Sequence, residues 1–254
     1  MRPSAITAIP RMNEPPVPPR FLPCGDAAVT IEFGTAIDPG ISARVLALDA
    51  ALNAEKMPGL IETVPTYRSV TVHFDPVILD YEDLERRVCA LAGTLDARPR
   101  PGRRWKVPVV YGGTFGIDLE ATAERHGLTP AQLIDKHAAP VYRVYMIGFM
   151  PGFTYLGGLN PSIATSRRTD PRPMTPAGII SIGGIQALIG GQAMPSGWHI
   201  LGRTPVRTFM AGREPAFLTA PGDEVVFAPI DAARWDALDR AAAAGDTVAE
   251  LIAS

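Results

Sequence analysis

The chain has 254 residues, 24 of them Lys or Arg and 26 Asp or Glu, for a formal net charge of -2. That length sits near the size at which one core gives way to two, so two modest domains are expected. Charges this balanced and scattered set up no field that would recruit nucleic acid or an anionic membrane, which favours a small or neutral partner.

Residues 1–20, MRPSAITAIPRMNEPPVPPR, hold no apolar run long enough for an export signal and are broken by five prolines between Pro10 and Pro19. They read as a disordered or extended arm. No stretch approaches the roughly eighteen uninterrupted apolar residues of a spanning helix. Cys24 and Cys89 are the only cysteines; without CxxC spacing they form no structural zinc site, and a reducing cytoplasm suits them.

Residues 21–100 predict a small α+β domain. The stretch 28–33 alternates as a strand does, and after Pro39-Gly40 the residues Ile41, Val45, Leu48 and Leu52 recur at helical spacing. Residues 61–75 offer two short strands with Pro65 at a bulge or break between them. Tyr81, Leu84, Val88, Leu91 and Leu95 then repeat at a period near 3.6 behind the acidic start Asp80, Glu82, Asp83, giving a second helix. The segment DARPRPGRRW, residues 96–105, reads as a linker or long turn.

Residues 101–254 predict a β-rich domain. A strand at 106–110 precedes two short helices within 116–139, the second opened by Thr129 as N-cap and Pro130 at the first helical position. Short strands follow at 141–147, 178–182, 187–189, 199–201 and 224–227, punctuated by turn residues as in a barrel or sandwich. The closing stretch 233–253 reads as a helix capping the surface. Across residues 141–222 glycine, proline and aromatic residues are denser than core filling requires, as in GFMPGFTYLGGL and PSGWHILGRTP. Each Gly or Pro forfeits packing to obtain a backbone shape, so these loops are expected to converge on one mouth of the barrel and to form a single pocket.

The succession YGGTFGIDLE, LTPAQLIDKH, VYMIGFMPGFTYLGGL, PRPMTPAG, GIQALIGG, PSGWHILGRTP and PGDEVVFAPI resembles, in order and spacing, the allophanate hydrolase subunit 1 family, which includes the B-type subunit of 5-oxoprolinase and the kinase inhibitor KipI. The resemblance runs from about Phe21 and is strongest over 105–230. It implies a small N-terminal α+β domain followed by a cyclophilin-like β-barrel. It also implies a partner of the allophanate hydrolase subunit 2 type, a third subunit of the LamB/YcsF type, and ATP, with Mg²⁺ as a companion, spent on opening a small cyclic amide, 5-oxo-L-proline, to L-glutamate. Relatives fused into urea carboxylase act in carboxyl transfer, and the kinase inhibitor binds protein on the same scaffold. The chain departs from the family pattern over 174–197, with Thr175 before Pro176, Ala187 after Gln186, Gly190-Gly191 where Tyr-Pro is usual and Ser196 replacing a glycine. A changed substrate or a lost activity stays open there.

The resemblance and the loop chemistry together nominate His137, Gln186 and Arg203 as catalytic residues. Tyr145, Gly148, Phe149, Pro151, Gly152, Phe153, Tyr155, Arg172 and Trp198 are nominated to bind substrate. Glycines let backbone N–H groups approach a ligand, and the aromatics offer an apolar wall with polar tips, although turning the chain and filling the core explain the same residues. His137 closes a helix, where the dipole favours the imidazolium and raises its pKa; a simple C-terminal cap is the competing explanation. Arg203 and Arg172 suit a bidentate grip on a carboxylate or phosphate, or else structural ion pairs. Gln186 pairs a donor with an acceptor, as an amide-like ligand requires. Asp118 and Glu120 could hold Mg²⁺ but equally serve the dipole of a helix start. The chain has no GxxxxGK[ST], no GxGxxG after a strand and no GxSxG, so it carries neither a Walker site nor a hydrolase elbow. The reading is therefore an enzyme subunit with part of its working parts lent by another polypeptide; a kinase-binding protein is the second hypothesis, and prolyl isomerisation by fold analogy a third.

Overall fold

The computed structural model describes residues 18–95, 98 and 102–253. The expected arm therefore lies outside the described residues up to position 17, as does half of the expected linker.

The first unit is a four-stranded antiparallel sheet under two helices. Its strands are β1 (Arg20–Pro23), β2 (Ala28–Glu32), β3 (Leu60–Pro65) and β4 (Ser69–Phe74), in the order β1-β2-β4-β3. Helix α1 (Pro39–Glu55) starts where the Asp38 carboxylate accepts from the N–H groups of Gly40 and Ile41, and it ends at Lys56 in a left-handed conformation. These are the expected physical start and stop of a helix: a carboxylate satisfies orphan donors, and a positive φ ends the repeat. Helix α2 (Tyr81–Thr94) is capped likewise by Asp80. Val45, Leu48 and Leu52 from α1 and Leu84 and Val88 from α2 meet Val29, Ile31, Val70 and Val72 of the sheet in one core.

The second unit is a closed barrel. It uses β5 (Arg104–Tyr111), β6 (Tyr142–Ile147), β7 (Thr154–Gly157), β9 (Ile179–Gly183), β10 (Gln186–Ile189), β12 (His199–Arg203) and β13 (Glu224–Pro229). Their order is β12-β9-β10-β7-β6-β13-β5, and β12 pairs back onto β5 to close the ring. Strands β8 (Arg172–Thr175) and β11 (Met194–Ser196) form a separate ribbon. Helices α3 (Leu119–Arg125) and α4 (Pro130–Ala138) send Leu119, Ala123 and Leu133 into the barrel core, and α4 opens with a complete capping box between Thr129 and Gln132. Thus an α+β architecture ending in a β-barrel is what the chain forms.

Two corrections apply. Helix α5 (Trp235–Ala243) stops well short of residue 253, and Glu250–Ile252 form a strand, β14, beside the first half of β5. Gly245, at φ 108°, breaks the helix, and β5 has a free edge there because β12 covers only its second half. The arm also gives way earlier than expected, since Arg20 already pairs with Glu32.

Alternation along the barrel strands decides what faces the site. On β10 and β9, Ala187, Ile189, Ile180 and Ile182 point inward, while Leu188 and Ile179 point outward to a second apolar layer with Phe153, Met194, Trp198 and Ile200. That outer layer, not the barrel interior, carries the aromatic loops.

Candidate functional site

The segment 148–153, GFMPGF, joins β6 to β7. Phe149 holds φ at 69° and is 64% exposed, a conformation that costs a side-chain-bearing residue about 1–3 kcal/mol and persists only where its surroundings enforce it. The enforcement comes from Gly152, whose φ is 75° and whose missing Cβ would stand 2.6 Å from Thr208 Oγ1. The Thr208 hydroxyl donates to the Gly152 carbonyl at 2.7 Å, so the loop is pinned against residues 208–209. Gly152 is therefore a packing glycine here.

From Phe149 a continuous set of rings runs along the outer face of the barrel. Phe149 meets Phe153 edge to face at 5.4 Å, Phe153 lies 4.6 Å from Tyr155, and Tyr155 lies 6.3 Å from Trp198. The strand period sends Tyr155 outward between the inward Thr154 and Leu156. Two glycines make room: a Cβ on Gly183 would stand 2.6 Å from Trp198 Cδ2, and one on Gly157 would stand 2.3 Å from Tyr145 Cε2. The row is completed from the first unit by Tyr67, on the β3–β4 turn, which stacks on Tyr145 at 4.9 Å and meets Tyr155 at 6.2 Å. Gln186 faces the Tyr67 hydroxyl, which is buried without closing a hydrogen bond of its own.

Two cavities flank Phe149. One, of about 220 Å³, lies between Phe149, Phe153, Tyr155 and Trp198, with Arg167, Arg168 and Ser196 at its edge. The other, of about 580 Å³, is walled by Ile147, Gly148, Met150, Pro151, Phe217 and Pro221, and Thr219 is its one polar side chain. Arg167 stands over the Trp198 ring at 5.0 Å. Burial pushes the Tyr67, Tyr145 and Tyr155 phenols up; the amide of Gln186 and, more weakly, the Arg167 charge partly offset it at Tyr67, and the Arg167 charge does so at Tyr155. All three stay neutral, as hydrogen-bonding groups, at physiological pH.

The structure thus gathers Tyr145, Phe149, Phe153, Tyr155, Gln186 and Trp198 on one face, with Gly148 and Pro151 lining the adjoining cavity. It does not gather the rest. His137 is fully buried among the barrel side chains, stacked on Phe227 at 4.9 Å and hydrogen-bonded through Nδ1 to Tyr111 Oη at 2.8 Å. Burial lowers its pKa to about 3, the reverse of the rise expected from the helix end, because desolvating the cation outweighs the dipole. Arg203 donates from Nε and Nη2 to the Ala177 carbonyl and lies over Trp235 at 4.9 Å. It pairs with Ile179 and Gln186 pairs with Gly183, so the two occupy opposite ends of β9. Arg172 grips Asp118 with two hydrogen bonds, of 2.9 and 2.6 Å, and Asp118 also accepts from the Ile200 N–H. The structural ion pair is what these two residues form, and it engages both oxygens of Asp118. Among the described residues no three His, Cys, Asp or Glu side chains cluster as a metal site. One pocket holding His137, Phe149, Gln186 and Arg203 together does not exist.

Sequence reasoning passed over Tyr67 and Arg167. Tyr67 follows Pro65 in a turn of the other unit, where an aromatic residue has nothing local to pack on, and that is the one signal available. Arg167 has no signal that separates it from Arg168 beside it.

A closed barrel with an aromatic outer face defines an α+β barrel protein whose loop-built wall borders a cleft of small-molecule size. Residues 19–219 match the family described as carboxyltransferase domain, subdomain C and D. A relative from Bacillus subtilis (strain 168), named as the B-type subunit of 5-oxoprolinase, is 36% identical, over 81% of this chain and 90% of its own length. The solved structure of TTHA0988 is similar at a TM-score of 0.72 and 33% identity, over 80% of this chain; the chain spans only 40% of that protein. The K. lactis urea amidolyase, 17% identical, shares the fold at a TM-score of 0.81 over 98% of this chain and 17% of its own. The chain belongs to the carboxyltransferase subdomain C and D family, on the side of its relatives from 5-oxoprolinase.

Proposed function

We propose that this chain is the B-type subunit of a 5-oxoprolinase assembly and contributes a binding wall for 5-oxo-L-proline, which the assembly opens to L-glutamate. The observation that carries the reading is the relative of that name, alike over 81% of this chain. The geometry supports the role of a non-autonomous subunit. Neither cavity beside Phe149 is lined by a His, Cys, Asp, Glu or Lys, and the hydroxyls there, of Tyr155, Ser196 and Thr219, have no such base beside them in the lining to activate them, which favours a catalytic acid or base lent by another subunit. The apolar walls suit a compact ring that must be held away from water.

In this reading the other components are a subunit of the allophanate hydrolase subunit 2 type and one of the LamB/YcsF type, with ATP as the energy source. The two cavities beside Phe149 are poorly suited to a triphosphate: the larger is walled by apolar side chains and offers no cation, and the one with arginines is small. The nucleotide is accordingly assigned to surfaces beyond these two cavities. The test is an omission experiment. The full chain is combined with the two other subunits, and ATP-dependent L-glutamate formation from 5-oxo-L-proline is measured with each component left out in turn. Formation that stops without this chain supports the proposal; turnover by this chain alone, or undiminished turnover in its absence, refutes it.

A further inference from the structure

We propose that Arg167 is the anchor of a carboxylate subsite, and that the cleft lined by Phe149, Phe153, Tyr155 and Trp198 selects small five-membered rings bearing one carboxylate and an uncharged ring heteroatom. The choice of 5-oxo-L-proline as the natural occupant rests on the 5-oxoprolinase reading; the subsite itself rests on the cleft.

Three arginines lie close together here, and two are already engaged. Arg172 is held by Asp118, and Arg168 stands 3.7 Å from the same carboxylate and donates to the Asp170 carbonyl. Arg167 enters no ion pair or hydrogen bond among the described residues; its Cζ lies over the Trp198 ring, 5.0 Å from the centroid. A guanidinium resting on a ring makes a cation–π contact that uses none of its N–H donors, so all five stay available for a carboxylate, which the planar fork can grip with two parallel bonds. It lines the cleft, and its charge also acts on the hydroxyls of Tyr155 and Tyr67.

Size and charge then narrow the ligand. A volume of about 220 Å³ falls below the roughly 300–1,000 Å³ of pockets that take drug-sized ligands, which leaves room for a single small ring and none for a nucleotide. The side chains of Phe149, Phe153, Tyr155 and Trp198 give a small ring an apolar wall to rest on. No residue lining the cleft is acidic. An amino acid such as L-proline would therefore bury its ammonium group without a counter-charge, a cost that a neutral lactam nitrogen avoids. L-Glutamate is disfavoured for the same reason, since its ammonium and second carboxylate appear once the ring has opened. The cleft thus discriminates ring from open chain by charge.

Calorimetric titration of the full chain tests this with four probes: 5-oxo-L-proline; tetrahydrofuran-2-carboxylate, with the same ring size and charge but no lactam; 5-oxo-L-prolinamide, with the lactam but no charge; and L-proline. Both carboxylates are expected to bind, with the prolinamide and L-proline at least about 10-fold weaker. Arg167→Gln should weaken both carboxylates about 10-fold or more and leave the prolinamide unchanged, with Arg167→Lys in between. Arg86→Gln, on exposed α2, should change nothing. Carboxylate binding unaltered by Arg167→Gln, carboxylates no tighter than the prolinamide, or no binding by any probe would each overturn the subsite. If tetrahydrofuran-2-carboxylate binds through Arg167 and 5-oxo-L-proline does not, the subsite stands and the 5-oxoprolinase reading falls. If 5-oxo-L-proline binds equally well to Arg167→Gln, the subsite falls and that reading survives.

Discussion

Lowering the pH should cost this protein stability through His137. The imidazole is fully buried, and its pKa in the folded state is about 3 against the ordinary 6.5. Below pH 6.5 the unfolded chain takes up the proton and the folded chain does not, down to the folded pKa. Stability from this group is therefore complete above pH 6.5 and is lost as the pH falls towards 3. At about pH 4, roughly 2.5 pH units below the unfolded pKa, the loss at about 1.4 kcal/mol per unit comes to about 3 kcal/mol. The comparison variant is Tyr111→Phe with His137→Leu, which removes both ends of the 2.8 Å hydrogen bond and leaves no polar atom of that pair behind. Urea unfolding at about pH 7.5 and about pH 4 is followed by tryptophan emission; Trp105, Trp198 and Trp235 all lie in the barrel part of the chain. Wild type should lose about 3 kcal/mol more than the double variant between the two conditions, because other titrating groups cancel in the difference. Equal losses would refute the assignment of a neutral, desolvated imidazole. His137→Leu alone should be about 1–3 kcal/mol less stable than the double variant at neutral pH, since it leaves Tyr111 Oη buried without its partner.

Three further outcomes follow from the aromatic face. Gly183→Ala places a methyl group 2.6 Å from Trp198 Cδ2, so the indole has to move; a loss of about 1–3 kcal/mol in urea unfolding and a shifted Trp198 emission are expected. Phe149→Gly should be more stable than Phe149→Ala by about 1 kcal/mol, because alanine keeps the penalty of φ 69° and glycine does not; equal stability would remove the claim of strain. Tyr67→Phe should leave the melting temperature unchanged or raise it, since the hydroxyl is buried without a hydrogen bond while the ring stack on Tyr145 is kept. A clear fall on differential scanning calorimetry would show that Gln186 bonds that hydroxyl after all.

Local signals were reliable where local physics decides. Thr129 announces a helix start by hydroxyl capping, and the acidic run from Asp80 announces another; both residues cap a helix in the structure. The 233–253 stretch misled because its alanines favour helix, whereas the edge of β5 offered backbone partners that no local pattern reveals. The aromatic loops were legible as a group, since GFMPGF and PSGW combine ring side chains with glycines. Which face they serve was not, because that depends on β7 and β10 pointing Leu156 and Ala187 inward and Tyr155 and Leu188 outward. His137 and Arg203 looked like chemistry because their types are chemical, yet tertiary packing engages one with Tyr111 and Phe227 and the other with Ala177 and Trp235. Tyr67 comes from the other unit, and only the docked structure brings it to the wall.

Ligand binding at the wall formed by Phe149, Tyr155 and Trp198 can be read directly by fluorine resonance. Replacing the three tryptophans with 5-fluorotryptophan gives one resonance each for Trp105, Trp198 and Trp235, assigned by single Trp→Phe variants. Adding 5-oxo-L-proline to the full chain should move the Trp198 resonance saturably and leave Trp105 and Trp235 in place. Movement of Trp235, which lies under Arg203, with a silent Trp198 would put the ligand at the other end of β9 and contradict binding at this wall.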